Sequence, residues 1–98
     1  MKDFSRKETV RREIREKDGF EYKYELTLSR GRRVASYGIP LYSISIEMIC
    51  SEDNLMTQND AENLFSDFDK ASEFFDRMVD GLATPIDLPY IIEDEFSK

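Results

Sequence analysis

In Tyr42, Ile44, Ile46, Met48 and Cys50 the large side chains recur at every second position, with Ser43, Ser45 and Glu47 between them. That period belongs to a β-strand with one dry face. It closes Val34–Cys50, the most apolar run in the chain, so this stretch is expected to be the central strand, with the other segments packed beside or over it. At 98 residues and 40% hydrophobic content, one domain spanning 1–98 is expected to build its core without disulfide or metal.

Residues 1–7 carry charge without periodicity and read as a frayed start. In the β part, 8–65, Val10 and Ile14 mark a first strand, and Phe20, Tyr22, Tyr24, Leu26 and Leu28 give a second of clear alternation. Asp18-Gly19 lies between them. A two-residue turn there would pair Ile14 with Lys23 and turn Val10 and Ile14 away from the face of Tyr22 and Leu26. A three-residue loop, with Gly19 at positive φ in a bulge, sets Ile14 against Tyr22 and Val10 against Leu26. It is the expected arrangement because it keeps the apolar face together.

The next turn is expected at Arg30-Gly31, setting Leu26 opposite Ala35 and Tyr24 opposite Tyr37. The apolar parity then has to slip within Gly38–Leu41. A bulge in one long strand is the first choice; a second hairpin, giving five strands instead of four, is the alternative. Leu55–Phe65 reads as a short edge strand returning along the central one.

The helical part, 66–98, opens with Ser66 as the expected cap, and Phe68, Ala71, Phe75, Met78 and Leu82 recur at helical steps, widened by Phe74 and Val79. Gly81 is expected near the end of this helix, as a terminator or a late weak point. Thr84-Pro85 signals a second helix with Leu88, Ile91, Ile92 and Phe96 buried, starting either near Pro89 after a turn or at Pro85 with a distorted first turn. The fold class is therefore α+β: an antiparallel four- or five-stranded meander followed by two C-terminal helices on one face.

The chain has no His, which removes the commonest general base near neutral pH and with it Ser-His-Asp and Cys-His nucleophiles. Its single cysteine, Cys50, lies at an inward strand position and reads as an unreactive core thiol. Asp67 and Asp69 begin a calcium-loop pattern that Ala71 and Ser72 do not continue. No catalytic residue, cofactor or metal is expected. The lone Cys, the polar start and the lack of a long apolar run give a cytoplasmic expectation with no membrane.

Charge is divided. Residues 1–33 hold 11 basic against 7 acidic side chains, a net of +4, and residues 34–98 hold 3 against 14, a net of −11. Arg30, Arg32 and Arg33 at a hairpin tip, with Arg11, Arg12 and Arg15 on the neighbouring strand, are the candidate anion or partner contact. A solvated hairpin end balancing the acidic helices is the simpler account of them. The functional expectation is a non-catalytic protein-interaction or regulatory module, binding itself as a homodimer or another protein. Nucleic-acid or anion binding through the arginine tip and small-molecule binding are the alternatives.

Tyr37-Gly38-Ile39, the Phe65-Ser66 helix start and the tail GLATPIDLPYIIEDEF resemble a family of small bacterial proteins known only as a domain of unknown function. The matching positions are Tyr37, Gly38, Ile39, Thr84, Pro85, Leu88, Ile91, Ile92, Glu93, Asp94 and Phe96, over roughly the last two thirds of the chain, each with a capping or core role of its own. Pro40 and Pro89 depart from the pattern. The resemblance implies a strand followed by helices and carries no activity or catalytic residue with it.

Overall fold

The computed structural model describes residues 7–30 and 40–97. Four strands, β1 (Glu8–Lys17), β2 (Phe20–Arg30), β3 (Pro40–Cys50) and β4 (Met56–Phe65), form an antiparallel sheet in the order β1-β2-β3-β4. Two helices follow, α1 (Phe68–Asp80) and α2 (Leu88–Phe96). The α+β architecture read from the sequence is the one observed, with four strands among the described residues.

The core forms where the alternation of β2 and β3 meets the stripe of α1. Tyr24, Leu26, Ile44 and Ile46 are buried under Ala71, Phe74, Phe75, Met78 and Val79. In α1, which packs across β2, β3 and β4, those five residues fall at three- and four-residue steps, so one face is dry. α2 lies over β4, where Phe65 meets both Phe74 (5.4 Å between ring centres) and Phe96 (5.3 Å). Phe68, 43% exposed, sits at the margin with its ring 5.8 Å from that of Tyr42.

The first hairpin departs from expectation. Lys17 pairs with Phe20 and Ile14 with Lys23, so the turn has two residues. Asp18 (φ 55°) and Gly19 (φ 83°) are both left-handed, as the type I′ turn favoured by Asp-Gly requires. Gly19 has the expected positive φ, but in a different loop. The side-chain phase is corrected further along: β1 carries an extra residue at Val10, between Thr9 opposite Thr27 and Arg11 opposite Leu26. This bulge returns Val10 to the core and leaves Ile14, 51% exposed, on the outer face. The helical side of β1 is then filled by Arg11, Glu13 and Arg15, opposite Leu26, Tyr24 and Tyr22.

The second connection also differs. Leu26 pairs with Ile44, Tyr24 with Ile46 and Arg30 with Pro40, which overturns the two-residue turn at Arg30-Gly31 and the pairing of Leu26 with Ala35. Ala35, Tyr37, Gly38 and Ile39 lie outside the described residues, as do 1–6. β4 is ten residues long, not short. It is broken by a second bulge, where Tyr42 pairs with Phe65 but Ile44 with Ala61. Asn63 turns left-handed there (φ 58°) and its amide donates to Ser43 Oγ (2.9 Å).

Asp67, not Ser66, caps α1, accepting from the Lys70 amide at 3.0 Å. At the other end Gly81 is the last half-helical residue, with φ −88°, and the left-handed position falls on Leu82 (φ 52°). Leu82 N–H bonds to Val79 O and Ala83 N–H to Met78 O, both 3.1 Å. This is the Schellman closure, here without glycine at its left-handed site. Thr84 and Asp87 then cap each other: Asp87 N–H donates to Thr84 Oγ1 (3.2 Å) and Thr84 N–H to Asp87 Oδ2 (3.0 Å). A turn over 85–87 thus precedes α2, with Pro89 in its first turn where an amide is dispensable.

Candidate functional site

The two helices diverge where α1 ends, and the space between them is a cavity of about 430 Å³, within the size range of small-ligand sites. Phe74, Met78, Ala83 and Ile91 give it apolar walls, and Arg77, Asp87, Tyr90 and Asp94 stand around it. Each wall follows from a local rule. Phe74 and Met78 belong to the buried stripe of α1, the Schellman turn delivers Ala83, and the Thr84–Asp87 cap sets the direction of α2 and hence of Tyr90, Ile91 and Asp94.

The polar groups at this cavity are largely committed to the framework. Arg77 bonds Glu95 at 2.9 Å while its guanidinium lies 5.6 Å from the centre of the Phe74 ring. Asp87 holds the Thr84 amide. Beneath, the hydroxyl of the fully buried Tyr24 donates to Ala83 O at 2.8 Å, tying the interhelical link to β2. Burial pushes the Tyr24 phenol up to about 12 from 10.0; Tyr22 and Asp87 add to the rise and Arg15 opposes it. At that value the group is a neutral donor across the physiological range and is not a base. Asn59 secures the same link from β4, donating to Pro85 O at 3.1 Å. Tyr90, 69% exposed, lines the cavity, and Ile86, 68% exposed, lies in the turn that precedes α2.

Of the arginines read from the sequence, the described Arg11, Arg12 and Arg15 are each engaged in an ion pair. Arg11 reaches α1, with a 2.7 Å ion pair to Asp76, a 2.8 Å hydrogen bond to Ser72 and its guanidinium 4.9 Å from the centre of the Phe75 ring. Arg12 pairs with Glu25 (2.7 Å) and Arg15 with Glu13 (3.0 Å). Arg15 stands opposite Tyr22, eight residues along β2 from Arg30, or about 26 Å at the rise of a strand. Arg32, Arg33 and the side chain of Arg30 lie outside the described residues. Cys50 is half-buried at the end of β3 instead of enclosed, its amide bonded to Leu55 O (2.9 Å). Asp67 is occupied as the α1 cap.

The cavity residues Arg77, Asp87, Tyr90 and Asp94 were not apparent as a group from sequence. The one available signal was the Thr-x-x-Asp spacing of Thr84 and Asp87, a capping pattern that fixes how α2 leaves α1. Among the described residues no helix is long and apolar enough to cross a membrane, and no three Cys, Asp or Glu side chains gather as a metal site.

Comparison with curated proteins and with solved structures finds no match. Comparison with protein families does: the model of a family of unknown function, DUF6514, matches residues 5–98, and the chain belongs to that family.

Proposed function

We propose that the protein is a small non-catalytic interaction module of the cytoplasm, taking up a polypeptide partner at the cleft between α1 and α2. The observation that carries this reading is how the cleft's side chains are used. Arg77 is paired to Glu95 and Asp87 is spent on a cap, while Tyr90 remains exposed at a pocket walled by Phe74, Met78, Ala83 and Ile91. An exposed aromatic group at a concave apolar floor suits an anchoring side chain from a partner. Asp94, at the mouth, together with the surplus of 14 acidic over 3 basic residues in 34–98, favours a partner with a basic residue beside that anchor. The lone cysteine supports the compartment.

A second reading has its own observation: a cavity of about 430 Å³ bordered by Tyr90, Asp87 and Asp94 also suits a small cationic molecule. One comparison decides between them. Affinity capture from cytoplasm is run with the wild-type chain and with Tyr90→Ala, alongside thermal-shift screening against cationic metabolites. A protein captured by the first and lost by the second supports the interaction module. Saturable stabilisation by a metabolite, with no protein captured, sinks it in favour of the second reading.

A further inference from the structure

β1 forms one outer edge of the sheet, pairing with β2 alone among the described residues. Between its bulge at Val10 and the turn at Asp18-Gly19, β1 runs regularly from Arg11 to Lys17, and the midpoint of that stretch is Ile14. In a ladder that closes on a two-residue turn, the amides and carbonyls of Arg12, Ile14 and Glu16 point away from β2. Among the described residues α1 packs chiefly on β2, β3 and β4 and reaches β1 through Arg11, on the helical face and not along this edge.

We infer that two copies of the chain pair antiparallel through β1, about a two-fold axis at Ile14, joining their sheets into one. Charge selects this register. With Ile14 opposite Ile14 of the second copy, Arg12 meets Glu16 and Glu13 meets Arg15, each twice by symmetry. Moving the axis to Glu13 or Arg15 sets like charges at the centre. Moving it to Arg12 does the same and runs the pairing into the bulge. The axis at Ile14 is thus the one that matches the straight stretch with itself and its charges with their opposites. Only the flanking pair, Arg11 opposite Lys17, is like-charged, and Arg11 is already neutralised by Asp76.

Side-chain placement agrees. Ile14, 51% exposed, gains an apolar partner on the open face, as do Arg12 and Glu16 their charged ones. Glu13 and Arg15, now bonded to each other along one strand, exchange partners on the helical face. A charged edge strand ordinarily resists strangers. Here the charge order resists other registers and accepts a copy of itself, and the two-fold uses up the β1 edge of both copies.

The proposal rests on the interaction reading, with a second copy as an additional partner at a surface away from the cleft. Its test is light-scattering mass and sedimentation equilibrium of the full chain across a concentration series. Arg12→Glu and Glu16→Arg, each folded by circular dichroism, are each expected to weaken dimerisation about tenfold or more, because two attractive pairs become repulsive. An equimolar mixture of the two variants is expected to restore the dimer, and so is the double variant, since both recreate opposite-sign pairs. A wild-type monomer up to the solubility limit would overturn the proposal, as would a dimer indifferent to both substitutions. A monomer that still captures a protein through Tyr90 sinks the self-pairing alone. A dimer obeying the charge rule that binds a metabolite and no other protein supports self-pairing while the cleft reading fails.

Discussion

The two faces of the sheet are built from the same strands and held by different physics. Under the helices, Tyr24, Leu26, Ile44 and Ile46 are almost wholly enclosed. On the other face the rows are polar: Arg12 pairs with Glu25 (2.7 Å) and Lys23 with Glu47 (3.5 Å) across neighbouring strands. Area removed from water stabilises at about 25 cal/mol per Å², whereas exposed ion pairs contribute roughly 0–1 kcal/mol each. The helical face therefore carries the stability, and the open face and its β1 edge are free to vary in service of contacts. Arg11 marks the boundary, because its guanidinium roofs Phe75 and its charge is anchored on α1.

The largest test of this contrast is Phe75→Ala, expected to cost about 3–5 kcal/mol through loss of burial and a residual cavity. Urea unfolding would read it, and a cost below 1 kcal/mol would break the contrast. Tyr24→Phe should cost about 1–2 kcal/mol near neutrality by leaving Ala83 O without its donor. It also sharpens the contrast through pH. The native phenol keeps its proton to about 12 and the unfolded one to 10.0, so the native state binds more protons between those values. Stability is complete below pH 10 and falls above it by about 1.4 kcal/mol per unit toward 12. Denaturation midpoints should drop more steeply over that window for the wild type than for Tyr24→Phe.

Leu82→Gly should act in the opposite direction, raising stability by about 0.5 kcal/mol because glycine occupies φ 52° without a Cβ clash. A lower melting temperature would mean that the Leu82 side chain contributes more than its strained backbone costs. Smallest of all, Glu25→Gln on the open face should change stability by less than about 0.5 kcal/mol. A larger loss would show that its pairing with Arg12 is structural.

Much of the architecture was readable from the residues, because the strand and helix periods of Tyr22–Leu28, Tyr42–Met48 and Ala71–Val79 each point to the helical face. The register of β1 was not. Choosing the loop that gathers Val10 and Ile14 with Leu26 assumed that apolar side chains must fill the face under a helix. An arginine stacked on Phe75 does so as well, and the preference of Asp-Gly for a two-residue turn prevailed. The α1 cap moved from Ser66 to Asp67 because both residues can accept the same amides and only the chain path decides. The cavity was hidden for a related reason: it depends on the angle between two helices, which the Schellman turn at Leu82 and the Thr84–Asp87 cap fix together.

The extra residue at Val10 makes damage in the first strand directional. From Arg11 onward the chain is indexed by the turn at Asp18-Gly19, so deleting one residue near position 10 would leave that half in step. Glu8 and Thr9 would stay opposite Leu28 and Thr27, because the residue lost is the unpaired one, and the cost would be the Val10 side chain in the core. A deletion there is absorbed by the bulge itself, whereas a single deletion between Arg11 and Lys17 would shift Arg11 out of reach of Phe75 and detach the sheet's rim from the helix that shelters it.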